Sequence, residues 1–373
     1  MNYNFRMPTE IISGENVLKS NADKLALGKR CLIVTGRNSA KRCGALDDVT
    51  AVLDSLDIEY AVFDKIMENP LLSVCHEGGQ RAHEFGADFV IAIGGGSPID
   101  AAKSIAAYAA NPDVAPMDIY TAELALSLPI VAIPTTAGTG SEANPYAVMT
   151  LDGENVKKTF NRPCSYPRYA FLDPRYTYSL NLNYTVSTAL DAFCHCVESY
   201  LSPRASEISN MFALDGARKI YRALEALDGI SDDADACERM KPLRADLLCA
   251  ATAGGIAINT SGTGFNHPLG YNLTLYKGVP HGRACGAFME EYFSYNSRTD
   301  KGKALIGQFC AAIGDTPEAI AGNIVRWSAV HVKLTDEEIA LYVDNVKGAG
   351  NYANSPYVIN VGEMKEIYSR LFG

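Results

Sequence analysis

The sequence predicts an α/β domain with a parallel sheet, followed by an all-helical domain. In the first half, short apolar runs alternate with helical patterns, which is typical of a parallel sheet covered by helices on both faces. From about Asn183 onward the apolar residues recur every three or four positions, and strand patterns almost vanish. A chain of 373 residues is long enough for two domains. We therefore predict domains at 1–180 and 181–373.

Four apolar runs predict the strands of the first domain. They lie at residues 28–36, 58–64, 88–97 and 128–136. Helical periodicity connects them, most clearly at 46–56 and 98–110, and in the second half it covers 186–202, 209–227, 243–259 and 336–350.

Charge and composition exclude several kinds of partner. The net charge of −10 argues against nucleic acid or an anionic membrane surface, because both require a basic face. No apolar run reaches the length of a transmembrane helix, and the first residues, MNYNFRMPTEII, lack the pattern of a signal peptide. The ten cysteines form no CxxC pair. We therefore expect a cytoplasmic protein with reduced, mostly buried thiols.

The third strand ends in a glycine turn that opens a helix. Gly94, Gly95 and Gly96 remove side chains, so that the backbone can approach a ligand. The helix that follows offers free N–H groups and a positive dipole end, which suit a pyrophosphate. Pro98 and Asp100 fit its first turn. Because the motif is not GxGxxG, a tight turn without a ligand is the alternative.

A second glycine-rich run, residues 133–148, follows the fourth strand. It presents the hydroxyl groups of Thr135, Thr136, Thr139 and Ser141 among glycines. Two such loops after two parallel strands lie at the carboxyl edge of one sheet, where Rossmann-like domains bind nucleotides. The pair of loops therefore favours a dinucleotide site.

The second half contains a candidate metal site. Asp191 and His195 are four residues apart, on one helical face. His267 and His281 lie in one short run, although the chain has only six histidines. Asp plus three His is a ligand set for a transition metal. An ordinary hydrogen-bonded Asp–His pair is the alternative for Asp191 and His195 alone.

Together these motifs resemble the iron-containing (group III) alcohol dehydrogenases, especially members similar to 1,3-propanediol dehydrogenase. The resemblance runs through GGGSPIDAAK, PTTAGTGSE, STALDAFCHCVE and HPLG…PHG. It implies a dehydroquinate-synthase-like architecture and the metal ligands Asp191, His195, His267 and His281. It assigns the dinucleotide to residues of the two glycine loops and of two further turns, namely Gly95, Gly96, Ser97, Asp100, Thr135, Thr136, Thr139, Asn69 and Lys157 or Lys158.

The sequence departs from this family at one residue near the metal ligands. Many relatives carry a further His four residues after the third ligand, where it is given a role in proton relay. This chain has Tyr271 at that position. Tyr271 therefore either replaces the histidine as a catalytic residue or only packs.

A second departure concerns the cofactor. NAD-preferring relatives tend to end the strand near residue 36 with an Asp that binds the ribose 2′-hydroxyl. This chain has Gly36, followed by Ser39 and the cations Arg37, Lys41 and Arg42. Such a turn would accept a 2′-phosphate, so we predict NADP, with NAD as the alternative. A solvated basic turn without a ligand is the other interpretation.

The ligand set also bears on the metal. One carboxylate and three imidazoles suit Fe²⁺, Zn²⁺, Co²⁺ or Mn²⁺. Catalytic zinc usually keeps only three protein ligands, so we predict Fe²⁺ first and Zn²⁺ second. The expected reaction is hydride transfer between NAD(P) and a small primary alcohol or diol, in a protein that the resemblance suggests is a homodimer.

Two other readings remain open. A metalloenzyme similar to glycerol dehydrogenase or to dehydroquinate synthase would have the same architecture. A synthase would need a basic cluster near the metal, but residues 259–285 contain only Lys277 and Arg283. A protein that binds nucleotide or metal without catalysis is the alternative from a different class.

Overall fold

The computed structural model describes residues 3–124, 126–154 and 156–373 and divides the chain into two compact units. The first unit contains Arg6–Leu180 together with Cys237–Thr252. The second unit contains Asn181–Ala236 and Ala253–Gly373, together with the segment that ends at Phe5.

The first unit is built on a parallel sheet. The strands of the described residues are β1 (Glu10–Ser13), β2 (Arg30–Gly36), β3 (Glu59–Ile66), β4 (Phe89–Gly94), β5 (Ile130–Pro134), β6 (Tyr146–Thr150), β7 (Lys157–Asn161) and β8 (Tyr169–Leu172). Six of them form one sheet in the order β1-β8-β5-β4-β2-β3, with every pair parallel. β6 and β7 form a separate antiparallel pair. The predicted parallel sheet is confirmed.

Apolar side chains cover both faces of this sheet. Along β4, Val90 and Ala92 belong to one buried cluster, whereas Phe89, Ile91 and Ile93 belong to another. Alternate residues of a strand point to opposite faces, so each cluster is the core of one face. This is why β4 is a continuous apolar run in the sequence.

α-Helices account for most of the remaining regular structure, and short 3-10 helices lie between some of them. The α-helices are α1 (Val17–Ser20), α2 (Ser39–Arg42), α3 (Ala45–Ser55), α4 (Leu72–Phe85), α5 (Gly96–Ala110), α6 (Leu182–Leu201), α7 (Glu207–Asp228), α8 (Ala236–Met240), α9 (Arg244–Ser261), α10 (Asn266–Lys277), α11 (His281–Gly286), α12 (Met289–Asn296), α13 (Asp300–Ile313), α14 (Pro317–Ser328), α15 (Asp336–Val346) and α16 (Val361–Phe372). In the described part of the chain, none is both long and apolar enough to cross a membrane.

The second unit is helical wherever it has regular structure in the described residues. Its α6 begins after Asn181, whose side chain accepts a hydrogen bond from the Tyr184 backbone N–H, as is usual for a helix N-cap. From Ala189 to Leu201 every residue of α6 is buried. This helix therefore carries Asp191 and His195 into the interior of the unit.

Candidate metal and nucleotide sites

The four side chains proposed as metal ligands lie close together, with three imidazoles around one carboxylate oxygen. Oδ1 of Asp191 lies 3.7 Å from Nε2 of His195, 3.5 Å from Nε2 of His267 and 3.7 Å from Nε2 of His281. Two O or N donors that share one divalent ion are about 3.0 Å apart at right angles and about 3.4 Å apart at the tetrahedral angle. The observed spacings are slightly longer than that range, and they place all three imidazole Nε2 atoms around the same carboxylate oxygen.

Close packing of α11 against α6 brings His281 to this point. His281 is the first residue of α11, and Gly282 follows it. A Cβ atom on Gly282 would lie 1.8 Å from the Ser187 carbonyl oxygen and 2.7 Å from the Asp191 nitrogen. Only glycine permits such an approach of the two helices. His267 comes from the first turn of a third helix, α10.

Most of the site is shielded from solvent. Asp191, His195 and His267 are buried, whereas the His281 side chain is 28% exposed. Among the described residues, neither Asp191 Oδ1 nor His267 Nε2 has a hydrogen-bond partner. Buried polar atoms are normally satisfied, so these two indicate a ligand between them. A divalent metal ion fits both atoms.

Glu198 fixes the orientation of His267. Its Oε2 accepts a hydrogen bond from His267 Nδ1 at 2.5 Å, and its Oε1 accepts one from the Asn266 backbone N–H at 3.0 Å. Glu198 is fully buried. With Nδ1–H committed to Glu198, Nε2 is the atom of His267 that faces Asp191. A carboxylate behind a metal-binding histidine commonly plays this part.

The electrostatics of the site favour positive charge. Burial by itself lowers the pKa of His267, but the carboxylates of Glu198 and Asp191 outweigh burial and raise this pKa to about 10. Burial likewise raises the pKa of Asp191, but the imidazoles of His195, His267 and His281 lower it overall. The carboxylates thus stabilise a cation here, and a divalent ion supplies more positive charge than a proton.

Two residues beside this site were missed by the sequence analysis. Glu198 is seven residues after Asp191, on the same helical face, and that spacing could have identified it. Cys285 follows His281 by four residues, and its Sγ lies 3.7 Å from His281 Nε2. The sequence alone favours a core position for such a cysteine, and no local pattern places it beside the histidine.

Tyr271 stacks against the most exposed of the proposed ligands. Its ring centroid lies 5.7 Å from that of His281, with 23° between the ring planes. Tyr271 is half-buried. Stacking of this kind restricts rotation of the His281 ring.

The two cations near the proposed ligands in the sequence are engaged elsewhere. Lys277 Nζ lies 2.6 Å from a carboxylate oxygen of Glu338. Arg283 donates to the carbonyl oxygens of Trp327 and Ser328 at 2.7 and 3.1 Å. Neither is free to bind an anionic substrate, as a synthase would require.

In the first unit, the two glycine loops pack directly against each other. A Cβ on Gly95 would lie 3.0 Å from Thr136 Oγ1, and a Cβ on Gly96 would lie 2.6 Å from Thr139 Cγ2. The sequence pattern predicts that these glycines leave room for a ligand. In the structure, the absence of side chains at Gly95 and Gly96 admits Thr136 and Thr139 of the second loop, so that the two loops form one continuous surface.

A buried polar network joins α5 to the second loop. Asp100 accepts hydrogen bonds from Ser141 Oγ at 2.5 Å and from the Val148 backbone N–H at 3.0 Å. Lys103 Nζ donates to Ser141 Oγ and to the Tyr146 carbonyl oxygen, both at 2.6 Å. The carboxylate of Asp100 and the hydroxyl of Ser141 are therefore engaged in hydrogen bonds that hold the second loop against α5.

Hydrogen bonds also position the turn before α4. Asn69 adopts a left-handed conformation (φ 56°), which Asn tolerates better than most residues. Its backbone N–H donates to Ser97 Oγ at 3.3 Å. The structure thus connects Asn69 with the start of α5.

The two lysines predicted near the nucleotide differ in their surroundings. Lys157 pairs with Thr150, whose backbone N–H donates to the Pro70 carbonyl oxygen at 2.8 Å. Lys158 places its ammonium group 4.4 Å from the centroid of the Tyr120 ring. Of the two lysines, Lys157 is therefore the one that pairs with the residue bonded to the turn around Asn69.

The end of β2 presents uncompensated positive charge. Gly36 is the last residue of β2, and Ser39 is the first residue of α2 and is exposed. Arg37, Lys41 and Arg42 are exposed as well, and within the described residues none of them has an ion-pair partner. An anion can approach this turn without displacing a carboxylate.

Comparison with protein families accounts for nearly the whole chain. Residues 8–174 match the family model described as iron-containing alcohol dehydrogenase, and residues 185–372 match the C-terminal domain model of the same family.

Individual proteins agree with these matches. The chain is 33% identical to long-chain primary alcohol dehydrogenase AdhA of Thermoanaerobacter ethanolicus over 69% of its own length and 64% of the relative's length. It is 29% identical to lactaldehyde reductase of Escherichia coli K12, over 72% of this chain and 69% of that protein. A crystal structure of an iron-containing alcohol dehydrogenase from Thermotoga maritima superimposes with a TM-score of 0.88 at 34% identity and covers all of both chains.

Proposed function

We propose a metal, a cofactor and a substrate class for this chain, which belongs to the iron-containing alcohol dehydrogenase family and is an NAD(P)-dependent oxidoreductase of alcohols and aldehydes. Both family models match, and a structural relative covers the entire chain. The finer assignments depend on the local geometry of the two sites.

Asp191, His195, His267 and His281 are proposed to hold Fe²⁺, with Zn²⁺ as the alternative. The observation that carries this proposal is that one carboxylate oxygen faces three imidazole Nε2 atoms at 3.5–3.7 Å. Four protein donors plus a substrate oxygen make at least five ligands, and Fe²⁺ accepts that number more readily than catalytic zinc, which usually keeps three protein ligands.

The reaction is proposed to convert a primary alcohol and NADP⁺ into an aldehyde, NADPH and a proton, reversibly. When bound, the divalent ion supplies Lewis acidity, which lowers the pKa of the alcohol hydroxyl. The chain's own contribution is to hold donor atoms in fixed positions. Glu198 keeps Nε2 of His267 directed at Asp191, and Tyr271 restricts the His281 ring.

We assign NADP rather than NAD because of the turn that follows β2. An Asp at position 36 would repel a 2′-phosphate, but this chain has Gly36 there. Ser39 offers an exposed hydroxyl. Arg37, Lys41 and Arg42 add three exposed cations, which are suited to bind a phosphate.

The remaining cofactor contacts are proposed on the two glycine loops and the neighbouring turn. The backbone of Gly95, Gly96 and Ser97 begins α5, where the helix dipole favours a pyrophosphate. Thr135, Thr136, Thr139, Asn69 and Lys157 form the adjoining surface. Asp100 and Ser141 are proposed to act mainly by holding the second loop, since they hydrogen-bond each other.

The proposed substrate is a small primary alcohol or diol, or the corresponding aldehyde. Two relatives support this class by name, one as a long-chain primary alcohol dehydrogenase and the other as a lactaldehyde reductase. The engagement of Lys277 and Arg283 with protein partners disfavours a phosphorylated sugar acid.

A homodimer in the cytoplasm is the proposed state of the protein. Among the described strands, β1 pairs only with β8, so its other edge has unpaired backbone groups that a second copy could bind. The cytoplasmic assignment rests on the sequence, whose ten cysteines form no CxxC pair.

Removal and replacement of the metal test the central assignment. Protein freed of metal with a chelator should be inactive with NADPH and short aldehydes, and anaerobic Fe²⁺ should restore oxidation of NADPH. Restoration by Zn²⁺ but not by Fe²⁺ would overturn the iron assignment. Equal activity before and after metal removal would overturn the metal site itself.

A further inference from the structure

We propose that Lys103 is a positioning residue for the dinucleotide, and that it acts by holding the turn at Gly140 through the side chain of Asn144. This inference rests on the proposed function, because it concerns the cofactor site described there. Neither Lys103 nor Asn144 is among the proposed contacts of the cofactor or the metal ion. Lys103 lies on α5, Asn144 lies in the second glycine loop, and both belong to the first unit.

The ammonium group of Lys103 is directed at the second loop. Its Nζ donates to Ser141 Oγ and to the Tyr146 carbonyl oxygen, both at 2.6 Å, and to Asn144 Oδ1 at 3.4 Å. An ammonium group has three N–H donors, so each of them has an acceptor in this loop. The side chain of Lys103 has no exposed surface. Its charge therefore serves the loop and not the solvent.

Asn144 extends this restraint to the turn. Its Oδ1 also accepts a hydrogen bond from the Tyr146 backbone N–H at 3.1 Å, and its Nδ2 donates to the Gly140 carbonyl oxygen at 2.9 Å. With Oδ1 held by an ammonium group and a backbone N–H, the amide presents Nδ2 to Gly140. Gly140 has a left-handed conformation, with φ 59°. Glycine adopts either sign of φ readily, so this hydrogen bond helps to select the observed turn.

The turn leads directly to the start of α5. Thr139 precedes Gly140, and its Oγ1 accepts a hydrogen bond from the Ser141 backbone N–H at 3.3 Å. A Cβ on Gly96 would lie 2.6 Å from Thr139 Cγ2. Thr139 thus packs against the first residue of the helix whose N-terminus is proposed to bind the pyrophosphate. A change in the Gly140 turn would displace Thr139 from this helix end.

The cost of burying Lys103 is a separate observation in favour of a functional role. Burial outweighs the attraction of Asp100 and Glu142 and lowers the pKa of Lys103 to about 8. The fold therefore destabilises the ammonium group, whereas an apolar side chain of similar length would be buried without this cost. Residues that reduce stability in this way are expected at functional sites.

A second anchor holds the loop independently of Lys103. Thr252 Oγ1, on α9, donates to Glu142 Oε1 at 2.6 Å, and both side chains are buried. Loss of the ammonium group should therefore alter the Gly140 turn without detaching the whole loop. This contact makes a folded variant at position 103 a reasonable expectation.

Titration of two variants with NADPH tests the proposal. Lys103→Met keeps the length of the side chain and removes all three donors. We expect the dissociation constant for NADPH to rise about tenfold or more, because the loop is no longer preorganised. The value of kcat at saturating NADPH and the affinity for the metal ion should stay nearly unchanged, which separates a role in cofactor binding from a general loss of structure. Lys29→Met, at an exposed lysine of the same unit, is the control and should bind NADPH like the wild type.

Asn144→Asp tests the second step and serves if Lys103→Met does not fold. The carboxylate still accepts from Lys103 and from the Tyr146 N–H but cannot donate to the Gly140 carbonyl oxygen. Affinity for NADPH should therefore fall, although the charge beside Lys103 is better balanced. Wild-type affinity in folded Lys103→Met, or in Asn144→Asp, would overturn the inference and leave the proposed cofactor site intact. Failure of the wild type to bind NADPH or NADH would instead overturn the proposed function.

Discussion

Nδ1 of His267 donates a hydrogen bond to Oε2 of Glu198 at 2.5 Å, and both side chains are buried. This bond decides which nitrogen of His267 faces Asp191. Because Glu198 lies on α6, the helix that also carries Asp191 and His195, one helix supplies two of the proposed ligands and the support for a third.

Replacement of Glu198 by Gln should weaken metal binding without unfolding the protein. The amide can still accept the hydrogen bond but has lost the charge that makes His267 more basic, so we expect the metal dissociation constant to rise roughly 10–100-fold. Competition with a chromophoric chelator measures this change. Glu225→Gln, on the exposed side of α7, is the control. Equal affinity in both variants would show that Glu198 only packs.

Replacement of His281 by Ala should abolish turnover. The side chain is the most exposed of the four proposed ligands, so its loss should leave the fold and the affinity for NADPH nearly unchanged. Steady-state assays, circular dichroism and fluorescence titration with NADPH check the three quantities. His331→Ala alters an exposed histidine outside the site and should be fully active. If His281→Ala kept most of its activity, His281 would not be a ligand.

Replacement of Gly36 by Asp should shift cofactor preference toward NAD. The new carboxylate would repel the 2′-phosphate, and we expect the NADP-to-NAD ratio of kcat/KM to fall by about tenfold or more, equivalent to about 1.4 kcal/mol. Gly36→Ala is the matched control, because a Cβ here would lie 3.2 Å from the Ile66 carbonyl oxygen whatever the charge. The 2′-phosphate assignment fails if both variants change the ratio equally.

Replacement of Gly96 by Ala should weaken binding of the dinucleotide by separating the two loops. The added methyl group would lie 2.6 Å from Thr139 Cγ2, a clash that the loops must relieve by moving. Adding Thr139→Ser removes Cγ2 and should recover part of the affinity, so the two changes should be non-additive. Isothermal titration with NADPH measures this coupling. Gly307→Ala, where a Cβ meets nothing within 4 Å, should have no effect on affinity. Strict additivity would contradict the proposed contact.

The buried Lys103 predicts a specific dependence of stability on pH. Burial outweighs the attraction of Asp100 and Glu142 and lowers the pKa of Lys103 to about 8, whereas its ordinary value is 10.5. Between these values the unfolded chain binds the additional proton, so the contribution of Lys103 to stability improves as pH rises from about 8 to 10.5. Below about pH 8 Lys103 is protonated in both the folded and the unfolded protein. The free energy of unfolding is then lowered by the full cost of burying the ammonium group.

A comparison of variants isolates this effect from other titrating groups. The melting temperature of wild type relative to Lys103→Met should increase across the window from about pH 8 to 10.5. The same comparison with Lys301→Met, at an exposed lysine of α13, should stay flat. A flat difference for Lys103→Met would mean that its ammonium group is not destabilised by burial.

The prediction of the strands had its clearest basis where both faces of a strand are buried. β4 and β5 are buried at every residue, so their sequences are continuous apolar runs that stand out. β6, β7 and β8 were not predicted. They are four or five residues long, and a strand with polar positions such as Lys157 resembles a loop when it is viewed without its neighbours. Their pairing depends on tertiary contacts rather than on local pattern.

The sequence by itself determined the family, the division into sheet and helices, and the residue types of both proposed sites. These follow from ordered motifs and from periodicity, which are local properties of the chain. Only the tertiary structure decided that Gly95 and Gly96 contact threonines, that Glu198 supports His267, and that Cys285 lies beside His281 and the other proposed ligands. Each of these depends on distances between segments far apart in the chain, and such distances are set by packing, which no local pattern encodes.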